Sequence, residues 1–372
     1  MTRPPVRAMW TYPGAFQDAA QSQRTLAAAK AAGLNRLLLL VYSAGRAQYP
    51  SRVAPSRVAD GSPDALSRFI TRAHKEGLEV YAYLATLVGR TRDATGTILA
   101  AHPDWVMFDD RGRKLSDYTP SEMAADWLEA VWLDPGHPEV GDYLERLYSE
   151  VLERYDLDGV QLDFIRYPST HAFSTGLYYP PNRTFGYNPA ALAAYRIDGG
   201  SDPLELLRQR RRHVQEMGEA AYERACWQWD EWRRERITGI VRRVRQARDR
   251  LRPAARLSAS VIPFPERAYL TFYQDWPGWL ESGLVDEVYL MSYTIDGRLF
   301  SRQLRQAVEF APQPARVIAG VGVYKNLADP DQLLRQMRFA QTHAGGWSLF
   351  SARNLLGDEE LWEVVRTAGG SR

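Results

Sequence analysis

A carboxylate delivered at the end of a short apolar strand is the first sign of chemistry in this sequence. Residues 155–168 read Tyr-Asp-Leu-Asp-Gly-Val-Gln-Leu-Asp-Phe-Ile-Arg-Tyr-Pro, with a strand opening at Gly159 and ending on Asp163. In a barrel of parallel strands, the carboxyl end of a strand faces the mouth where reactions take place. A buried strand has no use for a charge there unless the charge is paired or functional. The structural alternative is an Asp that caps the next turn or pairs with Arg166. Arg166 and Tyr167 follow at once. A guanidinium so close would hold Asp163 ionised, as a nucleophile or base requires, or would form a fixed salt bridge that shapes the loop. Asp158 lies at the other end of the strand, cannot share a cleft with Asp163, and is expected to satisfy the turn into the strand.

Aromatic residues fall at the same strand ends. The chain is 12% aromatic, with 11 Trp and 20 Tyr. Trp10, Tyr12, Tyr42, Tyr293, Tyr324 and Trp347 sit near the ends of strands one, two, six, seven and eight. Such rings can form a stacking wall for the apolar faces of sugars, and they can equally be core.

The elements that must position these residues alternate short apolar strands with amphipathic helices. Strands are expected at 8–11, 36–42, 79–85, 159–163, 256–261, 287–291, 317–321 and 347–350. The Leu/Val run of the second suits burial on both faces. Helices are expected at 18–32, 65–76, 138–154, 301–310, 330–343 and 359–367, with a helical stretch over 204–251. Gly33 and Gly77 stop the first two, and Ser62-Pro63-Asp64 starts the second. Eight rounds of this kind in 372 residues predict a single-domain (β/α)8 TIM barrel over residues 1–372. Two long connections, 86–136 and 169–203, follow strands three and four and so belong to the catalytic face; loops of this length are usually functional.

Bulk composition narrows the classes. The chain is 45% hydrophobic and 25% charged, a globular balance, and a net charge of +2 gives no footprint for nucleic acid or an acidic membrane. The arginine-rich stretch 208–256 alternates with acidic and apolar positions at helical spacing and reads as a solvated outer face. Cys226 stands alone, which excludes an intrachain disulfide and a thiolate metal site. The six His (74, 102, 137, 171, 213, 343) lack metal-ligand spacing, and nothing requires a cofactor or a metal. No apolar run is long enough to span a membrane. Residues 1–7 lack the apolar stretch of a signal peptide, and since the first strand begins almost at once, localisation and oligomeric state stay open.

Four blocks carry a resemblance. The first pairs Arg7-Ala-Met-Trp10 with Tyr49-Pro-Ser51. The second joins His102-Pro-Asp-Trp105 to Trp132-Leu-Asp-Pro-Gly-His-Pro-Glu-Val140, and the third is residues 155–168. The last joins Trp232-Arg-Arg-Glu235, Asp275-Trp276, Trp279 and Gly283-Leu-Val-Asp-Glu-Val-Tyr-Leu-Met-Ser-Tyr293. Together they span nearly the whole chain, which resembles glycoside hydrolase-like family 10, a barrel related to the α-amylase superfamily. The resemblance implies hydrolysis of a glycosidic bond in an oligo- or polysaccharide, with bacterial cell-wall glycans among the substrates. It places Asp163 at the strand-four nucleophile of the pattern Asp-Gly-x-x-Leu-Asp.

Glycoside cleavage needs a second carboxyl. A chitinase-like barrel would place a Glu two residues after Asp163, where this chain has Ile165. An α-amylase-like enzyme would draw its acid from strand five, and Glu266 lies a few residues beyond it. Asp275, beside Trp276, and Asp296, after strand six, compete equally, and each of the three can instead be a loop or capping residue. Trp10, Tyr12, Tyr42, Arg166, Tyr167, Tyr293, Tyr324 and Trp347 are the expected substrate contacts. The rival reading is a carbohydrate-binding barrel without turnover, which would lack the second carboxyl at the cleft.

Overall fold

The computed structural model describes residues 4–59, 61–91, 95–170 and 183–369. Eight parallel strands close on themselves: β1 (Val6–Thr11), β2 (Arg36–Ser43), β3 (Glu79–Ala85), β4 (Gly159–Asp163), β5 (Arg256–Val261), β6 (Glu287–Met291), β7 (Val317–Gly322) and β8 (Gly346–Phe350). Each pairs with its neighbour in chain order, and β1 pairs with both β2 and β8, with Ala8 opposite Arg36 and Val6 opposite Gly346. The enclosing helices are α1 (Ala19–Ala31), α2 (Ala65–Lys75), α3 (Pro138–Arg154), α4 (Glu219–Leu251), α5 (Trp276–Glu281), α6 (Gly297–Phe310), α7 (Pro330–His343) and α8 (Glu359–Gly369). The chain is a (β/α)8 TIM barrel, as the alternation predicts, and strands three to six have the expected bounds. No helix among the described residues is long and apolar enough to cross a membrane.

Helix starts follow ordinary capping chemistry. Asp18, Asp64, Asp275, Asp296 and Asp329 each accept a backbone N–H in the first turn of the helix they precede, satisfying donors that have no partner within the helix. Gly33 and Gly77 adopt φ of +66° and +76° just beyond α1 and α2, which favours glycine there. Two differences from the sequence reading have simple causes. The stretch 204–251 is split into Pro203–Arg208, Arg210–Met217 and α4, with Gly218 at φ +83° before α4. The connection from β5 to β6 holds Pro265–Thr271 and α5, which are too short to show a helical period.

The arginine-rich stretch is also less solvated than expected. Arg233 is buried, donates to the carbonyl of Phe185 at 2.8 Å and lies 4.0 Å from the Tyr273 ring centroid. Cys226 is half-buried and free. His171 and most of the second long connection's first half fall in residues 171–182, outside the described residues, as do residues 1–3.

Alternation along the strands sends every second residue into the lumen. One apolar cluster, containing Ala8, Trp10, Leu38, Tyr81, Tyr83, Tyr289 and Ile318, fills it. A much larger cluster lies between the sheet and the helices. Gly159 is required by this filling, since a Cβ there would stand 2.6 Å from the Tyr81 ring. At the amino-terminal end the lumen is plugged by charge. Arg36 reaches Glu287 at 2.5 Å and Glu79 at 2.6 Å, donates to the Tyr289 hydroxyl at 2.6 Å and stacks over Tyr81 at 4.1 Å. Arg256 adds a second cation 3.3 Å from Glu287. Removing one partner of a buried pair leaves the other uncompensated. Arg36→Met is therefore expected to destabilise the protein by about 3 kcal/mol, and Arg36→Met/Glu287→Met by clearly less, as read by urea denaturation. Equal losses in the two variants would remove the plug from the account of stability.

Candidate active site

The open end of the lumen holds a cavity of about 320 Å³. Its floor and one wall come from strand ends: Trp10 of β1, Asp163 of β4, Ser260 of β5, Met291 of β6 and Phe350 of β8. The rest comes from the loops that follow, with Trp127 and Glu129 from the first long connection, Phe164 and Arg166 after β4, and Tyr293, Thr294, Tyr324 and Lys325 after β6 and β7. Leu299 and Gln303 reach in from α6. A larger groove of about 910 Å³ lies on the helical shell around Pro50–Val53 and α3, among ion pairs such as Arg154–Glu150, and not at the barrel mouth.

Asp163 is held in place by its neighbours. One oxygen accepts the backbone N–H of Phe164 at 2.9 Å, and the Ser260 hydroxyl donates to the carboxylate. Phe164 itself adopts φ of +52°, a left-handed conformation that costs a bulky residue of order 1–3 kcal/mol and persists only where packing enforces it. Its ring packs 5.5 Å from that of Trp132. Burial pushes the Asp163 carboxyl up to about 6, the Glu129 charge pushes the same way, and the Phe164 N–H and the Arg166 guanidinium oppose them without prevailing. Arg166 thus stands where the sequence places it, but its effect on Asp163 is outweighed by desolvation.

Arg166 has another partner. Its Nη2 lies 2.9 Å from Oε2 of Glu129, while its guanidinium sits 4.9 Å from the Trp132 ring centroid and 5.2 Å from that of Phe164. Glu129 is the acidic residue that sequence reasoning missed. It lies in a 51-residue connection (residues 86–136) with no strand-end pattern to mark it, and its position depends on how that connection folds. Asp109 and Asp134 do that work. Asp109 accepts from the N–H groups of Arg111 and Arg113 and from the Tyr118 hydroxyl. Asp134 accepts from the N–H of Gly136 at 2.9 Å and that of Asn188 at 3.2 Å, tying the two long connections together. The helix Pro120–Ala125 carries a Thr119/Glu122 capping box, and the chain leaves it through Trp127, at φ +56°. The Trp127 ring is 63% exposed beside the cavity, a second residue that sequence reasoning missed.

The remaining expected residues divide sharply. Trp10, Tyr293 and Tyr324 are brought to the cavity. Tyr293 stacks on Phe350 with centroids 5.0 Å apart, Tyr324 meets both edge-on, and Trp10 meets Phe350 edge-on at 5.9 Å while donating to Gln161 at 2.7 Å. Tyr12 stands at the rim, with its hydroxyl 3.1 Å from Ser351 and Arg353 over its ring. Tyr42 and Trp347 do not reach the cavity; both are buried in the layer between sheet and helices, Tyr42 against the Tyr143 hydroxyl. Tyr167 is buried edge-on to Tyr273 and lies outside the cavity lining.

The three proposed acids are also elsewhere. Glu266 is exposed and accepts from Gln306 of α6 at 3.0 and 3.1 Å. Asp275 caps α5 through Gly278, and Asp296 is an exposed cap of α6. None lines the cavity. Asp158, as expected, secures the turn, accepting from Val80 N–H at 2.8 Å and facing His74 at 2.9 Å.

Residues 5–331 match the family model described as Glycosyl hydrolase-like 10. The chain is 22% identical over 346 residues to the glycosyl hydrolase YngK of Bacillus subtilis, covering 82% of this chain and 57% of that protein. It is 25% identical over 323 residues to the glycosyl hydrolase DigH of Escherichia coli, covering 81% of this chain and 64% of that one. It therefore spans less than two thirds of the length of these relatives. Among solved structures, the PgaB (BpsB) glycoside hydrolase domain of Bordetella bronchiseptica aligns with a TM-score of 0.67 at 17% identity over 99% of this chain and all of that one. The catalytic domain of a β-amylase from Paenibacillus polymyxa aligns with a TM-score of 0.62 at 15% identity, covering 98% of each. At these identities the structural likeness is one of fold.

A carboxyl that the folded state keeps protonated further up the pH scale than the unfolded chain does makes stability fall as pH rises. For Asp163 that loss runs from near the ordinary value of 3.8 up through about 6. Asp163→Asn is accordingly expected to be more stable than the parent by about 1–3 kcal/mol at pH 7.5, with the gain vanishing near pH 4, in paired thermal melts across that range. A gain independent of pH would show that desolvation of Asp163 is not its source.

Proposed function

This chain belongs to the Glycosyl hydrolase-like 10 family, and from that premise we propose that it hydrolyses an oligo- or polysaccharide with Asp163 and Glu129 as its two carboxyl groups. The observation that carries this reading is that both line one aromatic cavity at the carboxyl ends of the strands, with Arg166 paired to Glu129. A glycosidase-type function accords with the family and with the glycoside hydrolase relatives. Bacterial cell-wall glycan is the substrate to test first, since the family resemblance points there.

The roles follow from the two environments. Asp163, desolvated and raised to about 6, holds a proton into the mildly acidic range and suits the general acid. It gives that proton to the glycosidic oxygen as the C–O bond to the leaving sugar breaks. Glu129, with Arg166 as counter-charge, supplies the carboxylate that attacks the anomeric carbon or takes a proton from the attacking water. Trp127 and Tyr324, the exposed rings at the rim, stack on sugar faces on either side of the scissile bond. This assignment moves Asp163 from the nucleophile or base suggested by sequence pattern to the acid.

Release of reducing ends from a glycan panel that includes peptide-free peptidoglycan strands tests the reading. Asp163→Asn and Glu129→Gln are each expected to lower kcat by about 10²–10⁴-fold. With Asp163 as the acid, parent kcat/KM falls as pH rises through about 6. A fall on the acidic side, lost in Asp163→Asn, would return it to the role of base or nucleophile. Binding without turnover in parent and variants alike would make the protein a carbohydrate-binding barrel.

A further inference from the structure

One side of the cavity is chemically unused by the two carboxyl groups. Lys325 lines it beyond the end of β7, half-buried, with its ammonium 5.3 Å from the Tyr324 ring centroid. Among the described residues no hydrogen bond or ion pair involving Lys325 is found, whereas Arg166, the other cation of the lining, is bound to Glu129. Gln303 reaches the same cavity from α6. It is only 5% exposed, and its Oε1 is buried without a hydrogen-bond partner. A buried acceptor left unpaired costs free energy that a ligand donor can recover.

We infer that Lys325 and Gln303 form a subsite for a sugar unit bearing a carboxylate, the ammonium taking the carboxylate and the Gln303 carbonyl accepting an N–H or O–H from the same unit. Tyr324, which lines the same cavity and is partly exposed beside the ammonium, supplies the ring face on which that unit stacks. A single ammonium with rotatable donors matches one carboxylate, whereas a phosphate or sulfate group would be better met by a guanidinium fork, and the one guanidinium in the lining is engaged. The partial burial of Lys325 lowers the screening of such a contact relative to a surface pair. This inference rests on the reading of the cavity as a glycan site and names the class of glycan.

The test uses an acidic oligosaccharide and the same oligosaccharide with its carboxylates reduced to primary alcohols. Their affinities are measured by titration calorimetry on Asp163→Asn, so that no turnover is needed, and their kcat/KM values on the parent. The ratio of acidic to reduced ligand is expected to exceed unity, to fall by about tenfold or more in Lys325→Met, and to be largely kept in Lys325→Arg. Gln303→Leu is expected to weaken both ligands together, because the donor it meets is present in each. A ratio that is the same with Lys325 or Met at this position overturns the subsite. Selective binding without hydrolysis by the parent would leave the subsite standing and sink the hydrolase reading. Hydrolysis with no preference for the acidic glycan would do the reverse.

Discussion

A closed sheet of eight strands encloses a lumen that only its own side chains can fill, and this constraint governs the rest of the molecule. Alternate residues of every strand must point inward, so each inward position is a choice between packing and chemistry. Here the choice changes along the axis. At the amino-terminal end Arg36, Glu79 and Glu287 close the lumen with charge, each satisfied by another member of the set. In the middle Tyr81, Tyr289, Leu38 and Ile318 fill it with apolar volume. At the carboxyl end the filling stops short, and Asp163, two residues along β4 from the inward Gln161, stands at the bottom of the space that remains. The cavity is what the lumen becomes where the strands no longer fill it.

That position explains the chemistry of Asp163. Below it lies apolar packing that desolvates the carboxyl, and above it lies the cavity. The Phe164 N–H, the Ser260 hydroxyl and the Arg166 charge favour the ionised carboxylate, and desolvation outweighs them. The left-handed conformation of Phe164 aims its N–H back at the carboxylate and turns the chain so that Arg166 meets Glu129. Local strain, desolvation and the ion pair are thus three results of one sharp exit from β4.

The barrel and the place of Asp163 at a strand end were legible in the sequence because both follow from period. Strands buried on two faces are continuous apolar runs, so β3 to β6 could be bounded to the residue, and a charge at the end of such a run stands out. The place of Glu129 in the cavity was not legible because no period marks it. In a βα barrel many helices begin soon after a strand, and the residue type that caps helices is also the one that does acid chemistry. Asp275 and Asp296 have the right residue type at the right end of the barrel and serve as caps. Glu266 follows β5 at the expected distance but sits on the first turn of a short helix and faces Gln306. Trp347 lies on a strand position whose side chain faces the helices, and Tyr42, of the same parity as the lumen-facing Leu38 and Leu40, is turned to the helices by a register shift between Leu40 and Tyr42.

What sets Glu129 apart from those three is the kind of support it has. An acid on a barrel strand inherits its place from the sheet, whereas Glu129 depends on two buried aspartates, Asp109 and Asp134, that organise the connection carrying it. Asp134 spends its lone pairs on the backbone N–H groups of Gly136 and Asn188, the first leading into α3 and the second capping the helix Pro189–Ile197. The two long connections are joined at Asp134, outside the cavity, and also where the Asp110 N–H donates to Thr184 and the Gly186 N–H to Phe108. One side of the site is built from the sheet and rigid by construction; the other is carried by a folded insertion and can change without disturbing the barrel. A fold that keeps Asp163 fixed on the sheet while Glu129 and Trp127 ride on the insertion can alter the outline of the cavity without moving Asp163.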